Sequence, residues 1–251
     1  MFVDTHCHIY KDYYEDIEFI LGEAKNNNVE YVINNGCDRR SNKEVLELLN
    51  VYKNMYGAIG IHPESVLDYT EDDLKFIEDN INNPKVVAVG EIGLDYHYTK
   101  EDKDKQIELF EAQLKLAEKY RKPVIIHSRE ATADTIEILK KYNVKGVIHS
   151  FSGSYETAMI YIKMGYLLGV NGVVTFKNSN LKDVLKRIPL EHIIVETDSP
   201  YLTPVPFRGK QNAPKYVIHV AEFLSELYSV SLEELAKVTN TNIRRIFDIN
   251  M

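Results

Sequence analysis

Cysteine is scarce in this chain: among 251 residues only Cys7 and Cys37 occur, and they form no CxxC pair. That excludes a disulfide framework and a cysteine zinc site, and it fits a reducing cytoplasm. Both cysteines read as small buried residues. No run of 18 apolar residues is present, so neither a membrane span nor a membrane partner is expected. The start, MFVDTHCHIY, has no basic region followed by an apolar stretch, and an uncleaved, soluble protein is expected. A basic tail or stripe is missing too: 30 Lys and Arg stand against 38 Asp and Glu, a net charge of −8 spread along the chain. Non-specific wrapping of a polyanion is thereby excluded, although a bound metal ion or two local arginines can still make a small phosphate pocket. No repeat, low-complexity segment or Gly/Ser/Pro-rich break divides the sequence, so residues 1–251 read as a single domain with no obligate protein partner.

What remains is ordinary globular material, 44% hydrophobic and 27% charged, at a length that one α/β barrel fills. Eight short β-branched runs alternate with segments of helical period, at 2–6, 30–34, 55–61, 85–90, 123–127, 145–149, 166–170 and 193–196. The pattern predicts a TIM-type (β/α)8 barrel. The spacing predicts a helix over 104–119 whose stripe of Ile107, Phe110, Leu114 and Ala117 packs on the barrel. Asn26, Asn27 and Asn28 are expected to close the first helix, and Asn82, Asn83 and Pro84 the third. Four prolines mark 199–214 as an ordered loop after the eighth strand, followed by closing helices at 215–228, 232–239 and 242–247.

Ionisable residues recur at the ends of the strand runs. The first ends in His6-Cys7-His8, the third in His62, the fourth in Glu91, the fifth in His127 and the sixth in His149, while Asp198 follows the eighth. Parallel barrel strands deliver their C-terminal ends to one face, so these groups are expected to converge. Alternate strand residues share a side, which makes His6 and His8 two arms of a metal site. Imidazole and carboxylate donors suit zinc, manganese, nickel or iron, with magnesium also a candidate, and two divalent metal ions are expected. Glu91 can bridge two cations, and Asp198 can bind one while accepting a proton from water. His62, Arg129 and Arg208 are candidate substrate contacts, and Asp95 either caps a loop or holds a ligand histidine. Phe151, Tyr201 and Phe207 offer rings for base stacking, against the alternative that they serve packing.

The motifs DTHCH (4–8), GIHP (60–63), GEIGLDY (90–96), IHSR (126–129), HSFSG (149–153), ETDSPYL (196–202) and RGK-Q-N (208–212) occur in that order. At these residues the sequence resembles the TatD family of metal-dependent deoxyribonucleases, a branch of the amidohydrolase-like barrels, along essentially the whole chain. The resemblance implies that His6, His8 and Asp198 hold one metal and His127 and His149 the other. It further implies that Glu91 bridges them where related amidohydrolases use a modified lysine. Two positions depart from the family pattern: Ser150 stands where cysteine is frequent, and Glu64 where a second histidine is. The implied activity is that of a 3′–5′ exodeoxyribonuclease or phosphodiesterase acting on DNA as substrate. The residues alone support metal-assisted hydrolysis, which leaves open an ester or amide hydrolase such as an aminoacyl-tRNA deacylase, and a nucleic-acid-binding protein with a silent site.

Overall fold

The structure, a computed structural model, describes residues 1–98 and 100–249. Among them eight strands form one sheet in the order of the chain: β1 (Phe2–Cys7), β2 (Val29–Asn35), β3 (Met55–Ile59), β4 (Val86–Asp95), β5 (Val124–Arg129), β6 (Gly146–Ile148), β7 (Leu167–Val170) and β8 (Ile193–Val195). Helices α1 (Ile17–Asn26), α2 (Arg39–Val51), α3 (Glu71–Asn80), α4 (Lys103–Tyr120), α5 (Thr132–Leu139), α6 (Tyr155–Lys163) and α7 (Leu181–Leu185) fall between them, and α8 (Val217–Tyr228) and α9 (Leu232–Phe247) follow. This is the TIM-type (β/α)8 fold that the alternation predicts. No described helix is long and apolar enough to cross a membrane. Two compact units divide the chain, Met1–Asn34 with Ser150–Met251, and Asn35–His149.

In the first unit β1 pairs in parallel with β2 from Phe2↔Val29 to Cys7↔Asn34, and β7 pairs with β8 from Leu168↔Ile193 to Val170↔Val195. β1 also meets the end of β8: Asp198 N donates to His6 O at 2.8 Å and His8 N to Ser199 O at 2.7 Å. With neighbours on both edges and packing on both faces, all six residues of β1 are buried, including Asp4, Thr5 and His6. Asp16 starts α1 by accepting from Phe19 N, and Asn28, at φ 62°, turns the chain after it, as the asparagine run predicts. The loop 199–214 is ordered by hydrogen bonds, with Asn212 Nδ2 reaching Thr197 O at 3.0 Å and Tyr201 O at 2.5 Å.

The closing helices differ from expectation at one point, since 232–239 and 242–247 belong to a single helix, α9. The polar run between them resembles a stop, but its side chains bond elsewhere. Asn240 Nδ2 donates to Met1 O, and Asn242 Nδ2 to Leu190 O and Ile193 O. Those amides are engaged across to neighbouring segments, and Thr239 and Thr241 donate back to Leu235 O and Lys237 O of the preceding turn, a pattern compatible with a continuous helix.

In the second unit β3, β4, β5 and β6 pair in parallel. β4 continues five residues beyond the 85–90 run, through Glu91 to Asp95, and is buried along its length. Its end is held by a side chain: Gln106 Oε1 accepts from Asp95 N at 2.8 Å, and Gln106 Nε2 donates to Asp95 O at 2.9 Å. Gln113, on the same face of α4, does the same for Ile61 at 2.7 and 3.0 Å, and Asn42 of α2 for Gly60 at 3.1 and 2.7 Å. The buried stripe of α4 is therefore Gln106, Leu109, Phe110, Gln113, Leu114 and Ala117, while Ile107, expected in the stripe, is only half-buried. Replacing Gln113 by leucine keeps the volume but strands one buried N–H and one buried C=O. A loss of about 2–5 kcal/mol is expected in urea denaturation of Gln113→Leu, whereas the half-buried Ile107→Ala should cost less than about 2 kcal/mol.

Candidate metal centre

In the first unit β1 carries His6, and His8 follows two residues later on the same side, with the rings edge to face at 4.9 Å between centroids. Their Nε2 atoms are 3.2 Å apart. Asp198, three residues past the end of β8 and at φ 58°, turns its carboxylate toward both, with Oδ1 at 3.5 Å from His8 Nε2 and 3.8 Å from His6 Nε2. Metal–ligand arms of about 2.0–2.2 Å in a tetrahedron separate ligand atoms by roughly 3.3–3.6 Å. The three observed separations bracket that range, so this donor set fits one cation with nitrogen and oxygen preferences.

Neighbouring groups aim the set. Tyr10 Oη lies 3.2 Å from His8 Nδ1, which leaves Nε2 as the nitrogen turned to Asp198. Asp4, fully buried in β1, accepts from Thr197 N at 2.8 Å, Thr197 Oγ1 at 2.5 Å and His6 N at 3.3 Å. Burial pushes the Asp4 carboxyl up to about 8, against the pull of the Thr197 bonds. Glu196 is buried above Gly169, where a Cβ would stand 2.2 Å from its carboxylate, and its Oε1 accepts from Ser150 N at 2.7 Å. Neither Asp4 nor Glu196 was among the expected functional residues. A charged residue inside an otherwise apolar strand run was the available signal.

In the second unit Glu91 is the centre. Its Oε1 lies 2.9 Å from His127 Nδ1, 3.7 Å from His62 Nε2 and 3.9 Å from His149 Nε2. The other nitrogen of His127 meets Asp95 Oδ2 at 2.9 Å. Asp95 thus bonds His127, and its Oδ1 also caps the following turn, accepting from His97 N at 2.8 Å and Tyr98 N at 3.1 Å. Burial works against a charged His127, yet the bonds to Asp95 and Glu91 outweigh it and raise its pKa to about 9. For Asp95 burial again opposes the charge, and the His127 bond with the two backbone donors brings it to about 2. Glu91 and His127, with His62, are a group that could hold a cation, and a proton on His127 Nδ1 would compete with it.

His62 differs from the other imidazoles. Its Nδ1 accepts from Glu64 N at 3.3 Å, capping the turn Pro63–Ser65, so in the neutral ring Nε2 carries the hydrogen and faces Glu91 as a donor. Arg129, at the end of β5, is exposed and lies over the Tyr98 ring at 4.7 Å, and Arg208 is exposed over Phe176 at 3.7 Å. Both guanidiniums are thus braced on aromatic faces. Glu64, at the position that departs from the family pattern, has its carboxyl raised by desolvation and by Asp95 and Glu91.

A (β/α)8 fold whose strand ends carry imidazole and carboxylate sets of this spacing defines a metal-dependent hydrolase. The family model described as TatD related DNase matches residues 3–248. YabD of Bacillus subtilis, an uncharacterized metal-dependent hydrolase, is 44% identical over 100% of both chains. YcfH of Escherichia coli K12, likewise named as an uncharacterized metal-dependent hydrolase, is 38% identical over 99% of this chain and 96% of its own. The crystal structure of YjjV, a TatD homologue from Escherichia coli K12, superposes with a TM-score of 0.95 at 33% identity, covering 99% of this chain and 98% of the other. The chain belongs to the TatD family.

Because His127 has a pKa of about 9 without a cation, it is protonated at pH 7 and must lose that proton when a cation takes its Nδ1. Calorimetric titration with manganese in buffers of different ionisation enthalpy should return a release of about one proton per second-unit site at pH 7, falling toward zero by pH 10. Asp95→Asn should weaken cation binding about 10- to 100-fold in chelator competition.

Proposed function

We propose that the chain is a cytoplasmic nucleotidyl phosphodiesterase, a 3′–5′ exodeoxyribonuclease that uses two divalent cations and takes DNA as its substrate. The observation that carries this reading is the pair of donor clusters: His6, His8 and Asp198, whose ligand atoms stand 3.2–3.8 Å apart, and Glu91, whose Oε1 lies 2.9 Å from His127 Nδ1 and 3.9 Å from His149 Nε2. The description of the family as DNase supports the choice of bond. His6, His8 and Asp198 would hold one cation, and Glu91, His127 and His149 the other. Bound divalent cations supply acidification of water toward neutrality and compensation of charge on phosphoryl oxygens.

The remaining work falls to side chains. Asp198, half-buried and turned by its backbone bond to His6 O, accepts the proton of the attacking water. The water oxygen adds to phosphorus as the bond to the leaving oxygen breaks. His62, with Nε2 as its hydrogen-bearing nitrogen, donates to that leaving oxygen. Arg129 and Arg208 offset the charge that builds on the phosphoryl oxygens, each from an aromatic face that limits its freedom.

The test is a metal-reconstituted screen against single-stranded DNA, double-stranded DNA, aminoacyl-tRNA and a chromogenic phosphodiester. DNA hydrolysis lost on chelation and regained with manganese or zinc is expected. Asp198→Asn and Glu91→Ala should each reduce it by about 10²–10⁴-fold with unchanged circular dichroism. Normal hydrolysis in either variant overturns these roles, and deacylation of aminoacyl-tRNA without cleavage of DNA replaces the reading with an acyl-ester hydrolase.

A further inference from the structure

Beside His8 the first unit presents aromatic rings that a packing role does not explain. Tyr10 and Tyr14 are ordinary core residues, 5% and 4% exposed, whereas Tyr13 is 37% and Tyr201 51% exposed. Yet the two exposed rings are held as firmly as buried ones. Their hydroxyls hydrogen-bond at 2.8 Å, and their rings meet edge to face at 6.0 Å. Tyr201 N donates to Asp198 O, the residue that closes the first ligand set, and Tyr201 O accepts from Asn212 Nδ2. Tyr13 N donates to Tyr10 O, and Tyr13 O accepts from Gln211 Nε2 at 2.7 Å. The Tyr201 ring centroid is 6.4 Å from that of His8. Gln211 and Asn212, neighbours in one loop, thus fix an aromatic pair next to a ligand imidazole.

An ordered, solvent-facing ring pair leaves apolar area in water in the free protein, and a flat ligand stacked on one ring with its edge toward the other covers part of that area at little cost in side-chain entropy. The flanks differ in charge. Segment 11–16 carries Asp12, Glu15 and Asp16 against Lys11, whereas the loop on the other side carries Arg208 and Lys210. A phosphate attached to the flat group is favoured toward the second side. We propose that Tyr13 and Tyr201 form a subsite for the base of a nucleotide, stacked beside His8, with its phosphate directed toward the Arg208 and Lys210 loop. This rests on the nucleotidyl reading of the first ligand set. It adds a group that recognises substrate by its base rather than by its ester.

Base–aromatic stacking contributes a factor of about five to 150 in affinity. Calorimetric titration of the manganese-loaded protein with thymidine 5′-monophosphate and with 2-deoxyribose 5-phosphate, which lacks the base, tests it. The wild type should bind the nucleotide at least about tenfold more tightly. Tyr201→Ala and Tyr13→Ala should bring that ratio close to one. Tyr201→Phe, which keeps the ring and drops the bond to the Tyr13 hydroxyl, should keep most of it. Equal affinities in the wild type overturn the subsite. So does a Tyr201→Ala loss of the same size for both probes, since that is the mark of a structural role. Wild-type protein that shows the ratio but cleaves no phosphodiester overturns the nuclease reading and leaves the base subsite standing. Cleavage of DNA without the ratio does the reverse.

Discussion

A parallel strand that reaches beyond its neighbours runs out of backbone partners where a barrel enzyme places its working residues. Here side-chain amides take over at those points. Asn34 pairs with both the N–H and the C=O of Ile9, Asn42 with those of Gly60, Gln113 with those of Ile61, and Gln106 with those of Asp95. Each amide offers one donor and one acceptor in the geometry of a missing strand, and each is buried or sits at the end of a buried strand. What they hold lies beside the candidate ligands. Ile9 follows His8, Ile61 precedes His62, and Asp95 is itself the partner of His127. The ligand geometry depends on these pairings more than on the apolar core, because the core fixes where a strand lies and the amides fix where it stops.

The second constraint is electrostatic. Buried carboxylates without partners are expensive, and each unit concentrates them. In the second unit the cost is offset by alternation: Asp95, His127 and Glu91 form a line in which one imidazolium is shared by two carboxylates. In the first unit the backbone and Thr197 carry the burden for Asp4, and Asp198 keeps partial access to solvent. Hydrophobic residues of the same volume would pack there at lower cost. Their absence is the usual mark of a site in which stability is set aside for chemistry.

Much of this was legible in the residues. Alternating β-branched runs and helical periods define the eight strands to within a residue or two at most ends, and the HxH pair, Glu91, His127, His149 and Asp198 stand out as polar groups at the ends of apolar runs. The exceptions share a cause. β4 passes its expected end, α9 passes an asparagine that resembles a stop, and Gln106 and Gln113 occupy core positions of α4, all because a polar side chain bonds to backbone distant in sequence. Periodicity identifies which face a residue lies on, not what it meets there. The spacing of seven between Gln106 and Gln113 places two amides on one buried stripe, and that was a readable sign that backbone, rather than solvent, was their partner.

A separation of labour follows from where these features lie. Donor sets on strands and their immediate ends are held by ladders and amides, and in the proposed reaction their part is the activation of water. They are indifferent to whether phosphorus or carbonyl carbon is attacked. Discrimination must come from groups beyond the donor sets, and the residues proposed to meet substrate or placed beside a donor lie on segments 11–16 and 199–212 of the first unit and 62–64 and 96–98 of the second. Their composition changes from one to the next: tyrosine and acid in the first, a histidine turn in the second, an arginine-bearing tyrosine in the third, cationic residues with anchored rings in the fourth. Relatives sharing every ligand can therefore differ in substrate through these loops alone. Within this chain the loop tethered by Asn212 is the one that touches both the ligand set, through Asp198, and the exposed rings, through Tyr201. The proposed recognition and the proposed chemistry are separated there by three residues of backbone, so a change that slackens the loop is expected to alter both together.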